Sequence, residues 1–352
     1  MTHIDITPYI RCALWGTKIN QADTDWTTVM QTAEKQAVFG IVFLGAEKLM
    51  QGQLTQDQIL EFIGAAEQIK VQNLLMNEEL ARFDSFIRNH NINYSVVKGQ
   101  VAGSCYPNPL LRQPGDIDLY FTPDHYKACT DLLHEKGIHL DYNASEKHAE
   151  FEMNGIVYEL HWTLNNFSRK KWQKYFDNIL QKDRGMTIMV GDKETPTLSA
   201  TVNALYIFIH LFHHLIHSGV GLRQLCDWMM WLHQYKDVID RAELKGHLHV
   251  LELERPYCVL GAVLTEHLGL PEEEFPLAIT DKDRKRSRKV FTDIMKMGNF
   301  GHNQQKAEQL GLLHSVQTAL QMVLQSAKHV DLAPKEILCR IPNMILWWVK
   351  KK

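Results

Sequence analysis

The sequence lacks the features that mark membrane-spanning and secreted proteins. No window of its 352 residues approaches the ~20 apolar residues that a helix needs to cross a bilayer. The amino terminus has no basic start followed by an apolar core, so no signal peptide is expected. The six cysteines are widely spaced and form no C-x-x-C pair, so neither a zinc ribbon nor a disulfide scaffold is indicated. We therefore expect reduced thiols and a cytoplasmic protein.

A strong charge of either sign is also missing. The formal net charge is −3, and a composition that is 45% hydrophobic and 22% charged is ordinary for a globular protein. A dedicated nucleic-acid binder is usually basic, so a nucleic-acid partner is not favoured. The one obvious basic run, DKDRKRSRK at residues 281–289, is expected to be a solvated helix start or loop.

The spacing of apolar residues divides the chain into three stretches. Residues 1–90 are expected to be mainly helical, because from about position 23 apolar residues recur at three- and four-residue steps. Residues 91–194 alternate β-rich runs with an amphipathic helix, and the Asn-Gly pair in HAEFEMNGIVYELHW predicts a tight hairpin. Residues 195–352 return to helix after a short linker at 195–199, with a break at SGVG. We predict an α+β fold in which helical regions flank a small mixed sheet.

Two aspartates stand one residue apart in the apolar run DIDLYF. Side chains at positions i and i+2 of a strand point to the same face, so Asp116 and Asp118 are predicted to project together. Two carboxylates so placed repel each other unless a positive charge lies between them. Mg²⁺, which prefers oxygen ligands, is the usual solution. A third acid, Glu159 in IVYELHW, shares a strand face with Val157 and His161 and is expected to join the pair.

These acids belong to a wider pattern. The run VVKG is followed by YPNPLLRQPGDIDLYF and later by YELHW. In this combination the chain resembles the uncharacterised nucleotidyltransferase family of bacteria, which belongs to the polymerase-β-like nucleotidyltransferase superfamily. The residues that match the family pattern are Lys98, Gly99, Tyr106, Pro107, Arg112, Gly115, Asp116, Asp118, Glu159, His161 and Trp162.

The resemblance implies a nucleotidyltransferase core and a reaction. A nucleoside monophosphate would pass from a nucleoside triphosphate to a hydroxyl acceptor. Two Mg²⁺ ions, with Mn²⁺ as the alternative, would be held by Asp116, Asp118 and Glu159, which are the expected catalytic residues. The expected nucleotide-binding residues are Lys98, Gly99, Arg112 and Arg223.

Two departures from the superfamily pattern affect the site. Gln100 follows Gly99 where the superfamily has Gly-Ser, so the serine hydroxyl that often touches a terminal phosphate is missing. The third acid is Glu159 in place of the commoner aspartate and reaches one methylene further. Lys98 could instead pair with a carboxylate, and Arg112 could brace the PGDID turn.

Other functions stay open on the sequence alone. A catalytically inactive regulatory or antitoxin-like protein would keep the fold and lose metal binding. The DID segment would then have only a structural role at the edge of a strand. The acceptor is undetermined: a small molecule, a sugar, a protein or RNA. A helical histidine cluster has ligand-compatible spacing, but buried or interface histidines are the expected interpretation. The cluster comprises His210, His213, His214 and His217.

Overall fold

The computed structural model describes residues 4–19, 24–50, 52–143, 145–299 and 322–340. Helices make up most of the first part of the chain. They are α1 (Thr7–Trp15), α2 (Trp26–Lys35), α3 (Phe39–Met50) and α4 (Gln56–Arg88). Asp25 caps α2 by accepting a hydrogen bond from the Thr28 backbone N–H, and Thr55 and Gln58 form a capping box at the start of α4. These caps satisfy amides that have no partner within the helix.

Six strands form one mixed sheet in the middle of the chain. They are β1 (Ser95–Val97), β2 (Ile117–Tyr120), β3 (His148–Met153), β4 (Ile156–His161), β5 (Met186–Val190) and β6 (Lys193–Thr197). Their order across the sheet is β3-β4-β2-β1-β6-β5. The β2–β4 and β1–β6 pairs are parallel, and the other three pairs are antiparallel. The helices within this region are α5 (Gly99–Gly103), α6 (Pro123–Glu135) and α7 (Lys170–Lys182).

Two hairpins belong to this sheet, and the sequence predicted only the first of them. The β3–β4 turn is confirmed at Asn154 and Gly155, whose φ angles of 53° and 76° suit a type I′ turn. The β5–β6 hairpin was not predicted, because Pro196 and neighbouring charged residues give β6 a low strand propensity. Since β6 runs to Thr197, the linker expected at 195–199 was wrong over its first three residues. Helix α1 lies inside the expected helical region at 1–90, ahead of position 23, where the described apolar pattern begins.

The carboxyl-terminal part is helical again. Its helices are α8 (Ala200–His217), α9 (Leu222–Gln234), α10 (Arg241–Leu251), α11 (Glu254–Val263) and α12 (Asp281–Met297), with further helical residues at 322–328 and 334–340. The predicted break at SGVG is confirmed, because α8 ends at His217 and α9 begins at Leu222. Helix α8 is apolar on nearly every side and is largely buried against its neighbours.

The basic run at 281–289 forms the first half of α12. Thr280 and Asp283 make a capping box at its start. Arg284 pairs with Glu272, and Arg286 pairs with Asp331 at 2.9 Å. The expected solvated helix start is therefore what the structure shows, with two of its arginines neutralised by carboxylates.

The expected fold class is confirmed, because a mixed sheet lies between helical segments. None of the described helices is both long and apolar enough to cross a membrane. The domain boundaries at 90/91 and 194/195 stay a prediction.

Candidate active site

A cavity of about 540 Å³ lies where the ends of β1, β2 and β4 face α8 and the start of α9. Its sheet side carries acidic residues, and its helical side carries Tyr206, two histidines and an arginine. All seven residues expected from the sequence to act in catalysis or nucleotide binding line this one cavity. They are Lys98, Gly99, Arg112, Asp116, Asp118, Glu159 and Arg223.

Strand register brings the three acids together. Strands β2 and β4 are parallel neighbours, and Asp118 lies directly opposite Glu159 in the pairing. Asp116 immediately precedes the first residue of β2, so its side chain projects from the same face of the sheet as Asp118. One ligand oxygen from each of the three carboxylates lies within 4.8 Å of the others. The sequence-based expectation that Glu159 points towards the aspartates therefore agrees with the geometry.

Basic side chains neutralise the more buried acids. The Lys98 Nζ lies 2.5 Å from Asp118 Oδ1, and Asp118 is only 2% exposed. His161 Nε2 lies 2.9 Å from the same oxygen and 3.0 Å from Glu159 Oε2. Burial alone would raise the pKa of Glu159, but the hydrogen bond from His161 and the charge of Lys98 lower it to about 2. Burial opposes the charge on Lys98, yet Asp118 holds the Lys98 pKa well above its usual value.

A divalent cation fits this donor set. Asp116 makes no ion pair with a basic side chain in the described part of the chain, so at least one carboxylate is uncompensated. Three carboxylates within a few ångströms of one another suit the oxygen preference of Mg²⁺. A second group, His148, Glu159 and His161, also brings its ligand atoms within 4.8 Å and shares Glu159 with the first. Either set could hold a metal ion.

The turn after β1 is held in an unusual conformation. Lys98 has φ 56° and Gly99 has φ 30°, both in the left-handed region. A side chain at position 99 would also place its Cβ 3.3 Å from the Asp116 carbonyl oxygen. Glycine is therefore favoured at position 99, where β1 passes close to the acids. Helix α5 that follows is only five residues long, which limits its dipole as a phosphate-binding feature.

Arg112 is held by a carboxylate that the sequence did not point to. Its Nε and Nη2 each lie 2.8 Å from an oxygen of Asp227 on α9, and both side chains are nearly buried. Tyr106 donates a third hydrogen bond, also of 2.8 Å, to Asp227 Oδ1. Arg112 Nη1 donates to the Gln113 carbonyl. The Arg112 guanidinium lines the cavity, but its donors already bind Asp227 and the Gln113 carbonyl. The geometry therefore favours bracing of the PGDID turn over direct phosphate binding.

Arg223, on the first turn of α9, is less fully engaged. Its Nη1 donates to the carbonyls of Gln113 and Pro114 at 3.3 and 3.2 Å. Its Nε is buried and has no hydrogen-bond partner among the residues that the structure describes. Burial and the nearby Arg112 lower the pKa of Arg223. An anion in the cavity would satisfy this donor.

Comparison with known proteins identifies a family for this chain. The model of a family described as uncharacterised nucleotidyltransferase matches residues 22–269. The chain belongs to this family. A solved structure, an antigenic nucleotidyltransferase-like protein from Paracoccidioides brasiliensis, matches 58% of this chain and 94% of its own, with 16% identity and a TM-score of 0.33. No curated protein matched.

In this family member, the histidines of α8 form no metal group with other described residues. The described residues include two candidate metal clusters, and neither contains a residue of α8. His213 Nδ1 lies 2.6 Å from Asn165 Oδ1, and the side chains of His210 and His214 line the cavity. Burial lowers the pKa values of the whole cluster well below the usual range, so the rings are neutral at pH 7.

Three residues of this family member's site were missed as functional residues. His161 had a signal, because it stands two positions after Glu159 on the same strand face. His148 lies opposite His161 across the antiparallel β3–β4 pair, which only the register reveals. Asp227 lies on a helix more than a hundred residues from Arg112, and no local pattern connects the two.

Proposed function

We propose that the protein is a metal-dependent nucleotidyltransferase of the polymerase-β-like superfamily, as its bacterial family resemblance implies. The oxygen of an acceptor hydroxyl forms a bond to the α-phosphorus of a nucleoside triphosphate. The bond from that phosphorus to the bridging oxygen of the β-phosphate breaks, and its electron pair leaves with pyrophosphate. The acceptor's proton passes to a base. Two bound Mg²⁺ ions, or Mn²⁺, would supply charge neutralisation at the entering and leaving oxygens.

The observation that carries the proposal is the convergence of three carboxylates in the cavity of a chain that belongs to a nucleotidyltransferase family. Asp116 and Asp118 would hold both ions, and Glu159 would complete the site nearest the acceptor oxygen. Glu159 is also our candidate for the group that takes the acceptor's proton. His161 would orient the carboxylates of Glu159 and Asp118, since its Nε2 contacts both.

The remaining cavity residues would bind the triphosphate. Lys98 pairs with Asp118 and would turn to the phosphates once the acids are neutralised by metal. Gly99 leaves room for the phosphates beside the backbone. Arg223 offers a buried, unpartnered N–H from the helical side. Arg112 would act indirectly, because its pair with Asp227 fixes α9 against the turn that carries Asp116.

One observation favours the alternative of an inactive regulatory or antitoxin-like binding protein. Lys98 neutralises Asp118 directly, so this buried acid is satisfied without a metal ion. Such a protein would bind nucleotide or a partner and transfer nothing. The experiment below separates the two functions.

The test uses the full chain with each of the four nucleoside triphosphates, Mg²⁺ and cell extract. Each nucleotide carries its label at the α-phosphate in one reaction and at the γ-phosphate in another. Nucleotidyl transfer labels an acceptor from the α-position only, whereas phosphoryl transfer labels it from the γ-position. The Asp116→Asn variant should lose transfer, and the control Asp192→Asn, at a site 88% exposed in the β5–β6 turn, should not. No acceptor labelling with any nucleotide, or full labelling by the Asp116→Asn variant, would refute the proposal.

A further inference from the structure

A second cavity, of about 240 Å³, adjoins the first along α8. Lys147, His210 and His214 line both cavities, so a molecule bound in one can extend towards the other. The second cavity is smaller than the ~300–1,000 Å³ of sites for drug-sized ligands. It therefore suits one small functional group better than a polymer.

The second cavity is the more positive of the two. Four carboxylates and four Lys or Arg side chains line the first cavity, whereas no aspartate or glutamate is among the described residues that line the second. Lys147 and Arg340 are the cations of the second cavity. Arg340 Nη1 binds Glu336 at 3.0 Å, but Lys147 has no carboxylate within ion-pair distance in the described chain. An uncompensated, largely buried ammonium favours an anionic ligand.

Residues with buried polar atoms that lack described partners line the same cavity. Asn165 is 4% exposed, and its Nδ2 makes no hydrogen bond to a described residue even though its Oδ1 is satisfied by His213. Both ring nitrogens of His217 are likewise buried and without hydrogen-bond partners in the described part of the chain, and a neutral imidazole carries one N–H donor. An unmade hydrogen bond at a buried group costs about 1–3 kcal/mol. A ligand with several acceptor oxygens would satisfy Lys147, Asn165 and His217 together.

We propose that this cavity holds the anionic end, a phosphate monoester or a carboxylate, of a small hydroxyl-bearing acceptor. The acceptor's hydroxyl would extend past His210 and His214 towards Glu159 and the α-phosphate of the nucleotide. This inference rests on the proposed function, and it names the class of acceptor. The triphosphate has its own cations, Lys98 and Arg223, in the first cavity, which leaves Lys147 for a second anion.

The test measures binding of two anionic probes, glycerol 3-phosphate and glycerate, with glycerol as the neutral control. Calorimetry uses the full chain, first alone and then saturated with Mg²⁺ and the α,β-methylene analogue of whichever nucleotide binds. At least one anionic probe should bind, glycerol should not, and the probe should still bind when the nucleotide analogue is present. Lys147→Met should weaken probe binding roughly tenfold or more, the value of a charged hydrogen bond. The control Lys182→Met, at an exposed position on α7, should leave it unchanged.

Three results would overturn the inference. They are no binding of either anion, equal binding by the Lys147→Met variant with an unchanged melting temperature, and exclusion of the probe by the nucleotide analogue. The last result would mean that the cavity takes the nucleotide's own phosphates. If Lys147→Met fails to fold, Lys147→Gln serves with the same criterion. Failure of the proposed function looks different, because anions would then bind while no nucleotide does.

Discussion

Removing one partner of the buried pair of Arg112 and Asp227 should destabilise the protein far more than breaking a surface ion pair. The two side chains are 5% and 8% exposed and share two hydrogen bonds of 2.8 Å. Tyr106 adds a third hydrogen bond to the same carboxylate. The pair connects the turn ahead of Asp116 with α9, so its loss would loosen the contact that closes the cavity.

Asp227→Ala leaves the Arg112 guanidinium buried without its counter-ion. Removing one partner of a buried ion pair costs about 3–5 kcal/mol, which is a factor of roughly 10²–10³·⁵ in the unfolding equilibrium. The melting temperature should fall by about 4–7 °C, because the unfolding entropy of a chain of 352 residues is large. The double variant Arg112→Met with Asp227→Leu should recover most of this loss, because an apolar replacement of both partners leaves no unpaired charge.

Urea denaturation, followed by both tryptophan fluorescence and circular dichroism, measures the free energy of unfolding. The matched control is Glu78→Ala, which removes an ion pair with Arg82 whose side chains are 64% and 65% exposed. That pair should contribute under about 1 kcal/mol. A loss below about 1 kcal/mol in Asp227→Ala, or a double variant no more stable than the single one, would show that the reasoning is wrong.

Three further predictions concern other parts of the molecule. Burial and the charge of Arg286 lower the pKa of His329 from 6.5 to about 4, so its contribution to stability is complete above pH 6.5 and is lost as the pH falls through 4. His329→Gln should remove roughly 3 kcal/mol of that acid sensitivity, and identical pH–stability curves would contradict this. Gly261→Ala should destabilise by about 1–3 kcal/mol, because the new Cβ would lie 2.0 Å from the Phe275 ring; an unchanged urea midpoint would be inconsistent with that contact. Arg223→Ala should weaken Mg²⁺–nucleotide binding in calorimetry roughly tenfold while the fold persists, and unchanged affinity would remove Arg223 from the proposed site.

The pH prediction for His329 includes the charges around it. Burial is the largest cause of the lowered pKa, the two cations act in the same direction, and the two acids oppose them. The control is Asp293→Asn, which removes one of the acids that raise the His329 pKa. In this variant the pKa of His329 should fall further, so the loss of stability should continue to a lower pH. The charged residues that act on His329 are Arg286, Lys328, Asp293 and Asp331.

Local patterns alone were enough for several parts of the fold. Periodicity placed the long helices, because a buried helical face repeats every three or four residues wherever the helix packs. The Asn154-Gly155 turn was predictable because few residues other than Asn and Gly adopt two successive positive φ angles. The β5–β6 hairpin was not, since β6 is polar, contains Pro196 and owes its conformation to pairing with β5 and β1.

The sequence by itself determined that Asp116 and Asp118 lie together, because their two-residue spacing fixes a shared strand face. Only the tertiary structure decided what meets them. Parallel pairing of β2 with β4 put Glu159 opposite Asp118, and α9 committed Asp227 to Arg112. Strand register and helix docking depend on contacts between residues far apart in the chain, and such contacts leave no spacing pattern along it.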